Sequence, residues 1–72
     1  MPGSTYKVIE LVGTSENSWE EAAKVALKSA SSSLKDLRIA EVLQMDMKLE
    51  EDKPILFRTR LNVSFKYQEK KE

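Results

Sequence analysis

The feature that most constrains this chain is a long run of period-two patterning in its second half, broken once. From Leu37 to Glu50, Ile39, Leu43, Met45, Met47 and Leu49 alternate with Arg38, Ala40, Val42, Gln44, Asp46, Lys48 and Glu50. Glu41 is the one charge on the apolar side. The alternation resumes from Ile55 to Tyr67, with Ile55, Phe57, Leu61, Val63, Phe65 and Tyr67 on one side and Thr59 among them. Side chains repeat every second residue only in extended backbone, so these are two strands. Between them Glu51-Asp52-Lys53-Pro54 reads as a turn, because Asp suits a bend and Pro cannot donate to a ladder. Both strands exceed the usual length of about five or six residues.

The first half supplies one strand and one helix. Tyr6-Lys7-Val8-Ile9-Glu10-Leu11-Val12 is rich in β-branched residues, and Gly13 is expected to close it. Thr14-Ser15-Glu16-Asn17-Ser18 then offers several N-caps; Ser18 with Glu21 fits a capping box, and Ser15 is an alternative start. The helix is expected to run to about Leu34. Its apolar stripe is Trp19, Ala22, Ala23, Ala26 and Ala30, so small that the helix must lie close to a sheet. Lys24, Lys28 and Lys35 point elsewhere, and Ser31-Ser32-Ser33 weakens the last turn. The order β-α-β-β predicts an α+β fold, with a three-stranded antiparallel sheet packed on one helix. Residues 1–72 form a single domain, ordered over about 5–67.

One Ala-rich helix cannot cover two long strands. With 72 residues and no Cys, the chain has a small core and no disulfide to support it. Self-association is the remaining common source of stability. Neighbouring copies are expected to bury part of the hairpin.

Composition removes many functions. Twelve basic and 12 acidic residues balance to a net charge of zero, leaving no cationic excess for nucleic acid. The pair Lys70-Lys71 is the only basic block, in an expected tail. No apolar run approaches the roughly 18 residues of a membrane span. Without Cys or His there are no thiol nucleophiles, Ser/His triads or soft-ligand zinc sites. Met1-Pro2-Gly3-Ser4-Thr5 lacks the basic and apolar regions of a signal peptide, so a cytoplasmic location is expected.

The ordered pieces resemble the dodecin family, small β-α-β-β proteins that assemble as hollow shells of twelve subunits. The likeness rests on Tyr6 through Ser15, on Leu37 through Val42 with Ala40-Glu41-Val42, and on Val63-Ser64-Phe65-Lys66-Tyr67. It spans about Tyr6 to Tyr67. The resemblance implies a homododecamer that binds a small molecule or ion and catalyses nothing. In flavin-binding dodecins a Trp of the second strand stacks on the isoalloxazine ring; Ile39 stands there in this chain. Where the archaeal type has a flavin-bonding Gln, this chain has Arg58, and Asp46-Met47 replaces an Arg-Gly pair. These departures are similar to those of the calcium-binding branch. Ile39 cannot supply the aromatic face worth about 0.5–1.5 kcal/mol per contact. Flavin binding is therefore expected to be weak or absent, with typical flavin sequestration as the alternative.

The candidate ligand-contacting residues are Ile39, Arg38, Arg58 and Met47; the candidate cation ligands are Asp46 and Glu41. Counting back from the turn puts Asp46 nearly opposite Arg58, which makes a cross-strand ion pair the competing reading of that acid. As a Ca²⁺ ligand it would need copies from several subunits to reach six to eight oxygens. Arg38, Arg58 and Arg60 could grip a phosphate or carboxylate, or form salt bridges between subunits. Glu50-Glu51-Asp52 lacks the spacing of an EF-hand. Trp19 reads as a packing residue. An enzymatic reading, with Glu41 or Asp46 as base beside Arg58, fails because a neighbouring Arg makes a carboxylate a poor base at neutral pH.

Overall fold

A computed structural model describes residues 3–32 and 37–66. Strand β1 (Tyr6–Ser15) leads through a short turn into helix α1 (Trp19–Ser31), followed by β2 (Leu37–Lys48) and β3 (Leu56–Lys66). The strands form one antiparallel sheet in the order β1-β3-β2, so the last strand is central and β2 is an edge. The fold is the expected β-α-β-β arrangement. The positions Ser33, Leu34, Lys35, Tyr67, Lys70 and Lys71, to which roles were assigned above, lie outside the described residues.

Strand β1 does not stop at Gly13 but continues two residues further. The glycine marks a close approach instead: a Cβ there would stand 1.9 Å from the Ala22 carbonyl oxygen and 2.9 Å from the Ala26 methyl. The helix can sit this low because Ala22, Ala26 and Ala30, all buried, are its contact stripe. Ala26 packs with Leu61 and Val63 of β3, with Ile9, Leu11, Leu27 and Leu37 around them.

The Ser18 hydroxyl caps α1 by accepting from the Glu21 amide at 3.0 Å. The reciprocal half of the capping box is absent, since the Glu21 carboxylate accepts from Asn17 Nδ2 at 3.0 Å. The buried Ser15 instead serves the turn, its Oγ accepting from the Asn17 amide at 2.9 Å. Trp19 ties the start of the helix to both remaining strands. Its ring stands edge-on to Phe57 at 5.0 Å, its Nε1 donates to the Asp46 carbonyl at 2.9 Å, and its own carbonyl accepts from the Thr59 hydroxyl at 2.9 Å.

The faces of β2 differ from the expected alternation. The ladder with β3 slips between Leu37 and Ile39 and again between Val42 and Gln44, leaving Arg38 and Leu43 as extra residues. Each bulge reverses the side-chain alternation. Leu37, Ala40, Val42, Met45 and Met47 therefore share the helix side with Phe65, Val63, Leu61, Thr59 and Phe57. Ile39 and Glu41 pair with Ser64 and Asn62 on the opposite side, where Gln44, Asp46 and Lys48 also lie. Ile39 thus parts company with Met45 and Met47, with which strict alternation had grouped it.

The turn is a tight one: the Lys53 amide donates to the Glu50 carbonyl at 3.2 Å, and Asp52 takes φ 64°. That left-handed conformation is one Asp tolerates. Ile55 precedes β3 rather than opening it. The long hairpin makes the molecule extended, 56 × 20 × 14 Å with a radius of gyration of 15.2 Å. A compact domain of this length would have about 11 Å.

Candidate functional site

The face of the sheet away from α1 carries most of the chemistry, and the register sorts it into rows. Across β1, β3 and β2 these are Val8-Ser64-Ile39, Glu10-Asn62-Glu41, Val12-Arg60-Gln44 and Thr14-Arg58-Asp46. The apolar and acidic rows adjoin at the root of the hairpin, and the arginines lie toward its tip.

At the tip end, Asp46 and Arg58 face each other as expected and form a bidentate pair. Arg58 Nε donates to one carboxylate oxygen at 2.7 Å and Nη2 to the other at 2.9 Å. These hydrogen bonds hold the Asp46 carboxyl below its usual pKa, partly opposed by desolvation and assisted by the charges of Arg58 and Arg60. The same bonds raise Arg58. Asp46 is fixed from both faces, its carbonyl by Trp19 and its carboxylate by Arg58. One row over, Arg60 Nη1 donates to Glu10 at 3.0 Å.

At the root, Ile39 is 64% exposed at the edge. It lines three hollows, one of them of about 380 Å³ shared with Leu27, Leu37 and Ala40 beside the helix, and two adjoining ones bordered by Ser64. Of the adjoining two, one of about 430 Å³ is bordered by Tyr6, Arg38, Ile39 and Ser64. The other, of about 310 Å³, is bordered by Val8, Ile39, Glu41, Asn62 and Ser64. The bulge at residue 38 lets Arg38 border the larger of these two beside Ile39. The Ser64 hydroxyl lies 3.5 Å from the Ile39 carbonyl, to which it donates. Glu41 and Arg38 make no ion pair or side-chain hydrogen bond with any described residue.

The six candidate residues therefore fall into separate places. Arg38, Ile39 and Glu41 gather at the root, whereas Asp46 and Arg58 gather near the tip. The β3 partners of Ile39 and Asp46, Ser64 and Arg58, are six positions apart, or about 20 Å along a strand. Met47 lies on the helix side opposite Phe57 and joins neither group. A single copy does not bring Ile39 and Arg58 to one ligand. Among the described residues there is also no group of three or more acidic, His or Cys side chains placed to hold a metal. Tyr6, Val8, Asn62 and Ser64 complete the root hollows. Their signal in the sequence was only their alternation, which needs the register to become a location.

Fold and site together define a small β-α-β-β subunit with an uncovered edge strand and ligand-sized hollows on its outer sheet face. The chain belongs to the dodecin family, whose pattern matches residues 5–68. It is 46% identical over 63 residues to calcium dodecin of Mycobacterium tuberculosis, covering 88% of this chain and 89% of that protein. The crystal structure of that calcium-chelating antigen, described as having a novel calcium-binding site, superposes with a TM-score of 0.84 at 42% identity, over 96% of this chain and 99% of that one. Dodecin of Streptomyces coelicolor superposes with a TM-score of 0.88 at 31% identity, over 97% and 100% of the two chains.

Proposed function

We propose that the chain is a subunit of a twelve-copy dodecin shell that stores or sequesters a small ligand or ion at subunit contacts and performs no catalysis. The observation that carries this is the exposure of β2. Ten of its 12 residues are exposed, and only Leu37 and Asp46 are half-buried. Ile39, Val42, Leu43, Met45 and Met47 are between 45% and 64% exposed. A strand edge this apolar would aggregate unless a specific partner covers it, and further copies are the ready partner.

Calcium is the ligand we favour. Support comes from the M. tuberculosis relative, named for calcium, and from Ile39, which offers no aromatic face to a flavin. Six to eight oxygens around Ca²⁺ call for more than one copy, because the described residues of one copy bring no three acids together. Asp46 would have to release Arg58 to contribute; Glu41 would not.

Calorimetry on chelator-treated assembled protein tests this. Saturable Ca²⁺ heat is expected, reduced by Asp46→Ala or Glu41→Gln; absence of saturable heat would remove calcium. If Asp46→Ala leaves binding intact, Asp46 is no ligand. A parallel riboflavin titration should quench weakly; tight quenching would restore flavin sequestration as the function.

A further inference from the structure

We infer that the hollow between the last turn of α1 and the root of β2 binds a small amphipathic carboxylate, with the apolar body inside and the charge held by Lys28 and Arg38 of the same chain. The site lies on the helix side of the sheet, apart from the rows of the outer face, and one subunit builds it.

The alanine stripe creates the space. It lets α1 settle low over β1 and β3, and between its last turn and β2 a hollow of about 380 Å³ remains. That falls within the roughly 300–1,000 Å³ of small-molecule sites. Its walls are Leu27 of the helix and Leu37 of β2, both half-buried and packed against the core. Its floor is Val63, 1% exposed, with Ala40, which the register sets opposite Val63. The small side chain at position 40 leaves room that a larger one would fill. Because the core holds these walls, an alkyl or aryl group can be buried there without rearranging the fold.

The rim is cationic. Lys28 stands in the last turn of α1. Arg38 is the extra residue of the first bulge, which places it at the sheet edge, where it borders this hollow as well as one on the outer face. No described acid borders the hollow, and neither cation makes an ion pair with a described residue. Two carbonyls of the last helical turn, which would repel an anion, already accept serine hydroxyls. Ser31 Oγ donates to the Lys28 carbonyl at 3.1 Å and Ser32 Oγ to the Ser29 carbonyl at 2.7 Å. The planar fork of an arginine matches the two oxygens of a carboxylate, and the lysine adds a point charge. Apolar walls under two cations select a ligand that has both parts. A bare anion leaves the walls unused, and a neutral molecule leaves the cations unmet.

Calorimetry on the chelator-treated assembled protein tests the site, with sodium octanoate as probe and octanol and sulfate as its apolar and charged halves. Octanoate should bind saturably at one per chain, and octanol and sulfate more weakly by about fivefold or more. Arg38→Gln and Lys28→Gln should each weaken octanoate by about two- to fivefold, as the loss of an exposed ion pair does. Ala40→Leu, which fills the floor, should abolish binding. Native mass spectra would check that each variant assembles as the unaltered protein does. Absence of saturable octanoate binding, equal affinity for octanol and octanoate, or unchanged binding in Ala40→Leu would each overturn the assignment. The octanol comparison uses the unaltered protein, so it decides even where Ala40→Leu disturbs assembly. Binding confined to dissociated subunits would also overturn it, by showing that neighbouring copies fill the hollow. The result is independent of calcium, since no residue of the site is a proposed cation ligand.

Discussion

One sheet serves two different surroundings in this molecule. Strand β3 lies between two neighbours and beneath α1, and its Thr59, Leu61 and Val63 are at most 1% exposed. Strand β2 shares the ladder with β3, yet nearly all of it is open. Local sequence does not separate them, for both strands are long and apolar on one side. What separates them is the size of the helix. Its 13 residues, tipped with alanines, settle mainly over β1 and β3, and meet β2 only near its ends, through Trp19 at Asp46 and around Leu37. The covered region carries the stability of the subunit. The open region is where the proposed contacts with other copies would fall.

The contrast is broken most severely at Gly13. Gly13→Ala would drive a methyl into the Ala22 carbonyl, where backbone rather than a flexible side chain stands in the way. A loss of about 3 kcal/mol or more is expected in denaturant unfolding. A loss below about 1 kcal/mol would mean that α1 can lift off the sheet.

Next comes a paired comparison. Leu61→Ala, at a position with 0% exposure, should cost about 2–5 kcal/mol at every protein concentration. Met45→Ala, at 56% exposure, should cost less than about 0.5 kcal/mol once dilution has separated the copies. Its effect should grow with concentration, because it acts through assembly. Equal, concentration-independent losses would erase the distinction between the two strands.

The smallest effect concerns pH. The Asp46 pKa is lower in the folded chain than in the unfolded one, chiefly through its hydrogen bonds to Arg58. The stabilisation is therefore present above the unfolded value, about pH 4, and is lost as pH falls through the folded value. Asp46→Asn should flatten this acid limb by lowering stability slightly above about pH 4 and changing it little below the folded value. Acid unfolding curves would check it, and an unaltered limb would show that other carboxylates govern it.

Particular residues mark where reading the sequence succeeded. The Ser18 cap, the alanine stripe, the turn at Glu51-Asp52 and the Asp46–Arg58 pair all depend on separations of a few residues or on counting out from a turn. Ile39 and Glu41 mark where it stopped. Their side of the sheet depends on two single-residue slips in β2, whose imprint on the alternation is slight: Glu41 on the apolar side, with Ala40 and Val42 on the other. Gly13 was read as a strand end for a related reason. Whether a glycine breaks a strand or admits a helix is decided by what packs on it.

The sequence alone determined the order and type of the elements, since periodicity and capping act within one turn or one hairpin. It also showed that one small helix was too little cover for so much strand. Only the tertiary structure decided that β3 is central, which acid Arg58 and Arg60 each hold, and that Arg38 and Glu41 have no ion-pair partner among the described residues. Those outcomes follow from register across three strands, where each residue's neighbours come from distant parts of the chain and a shift of one place exchanges the faces.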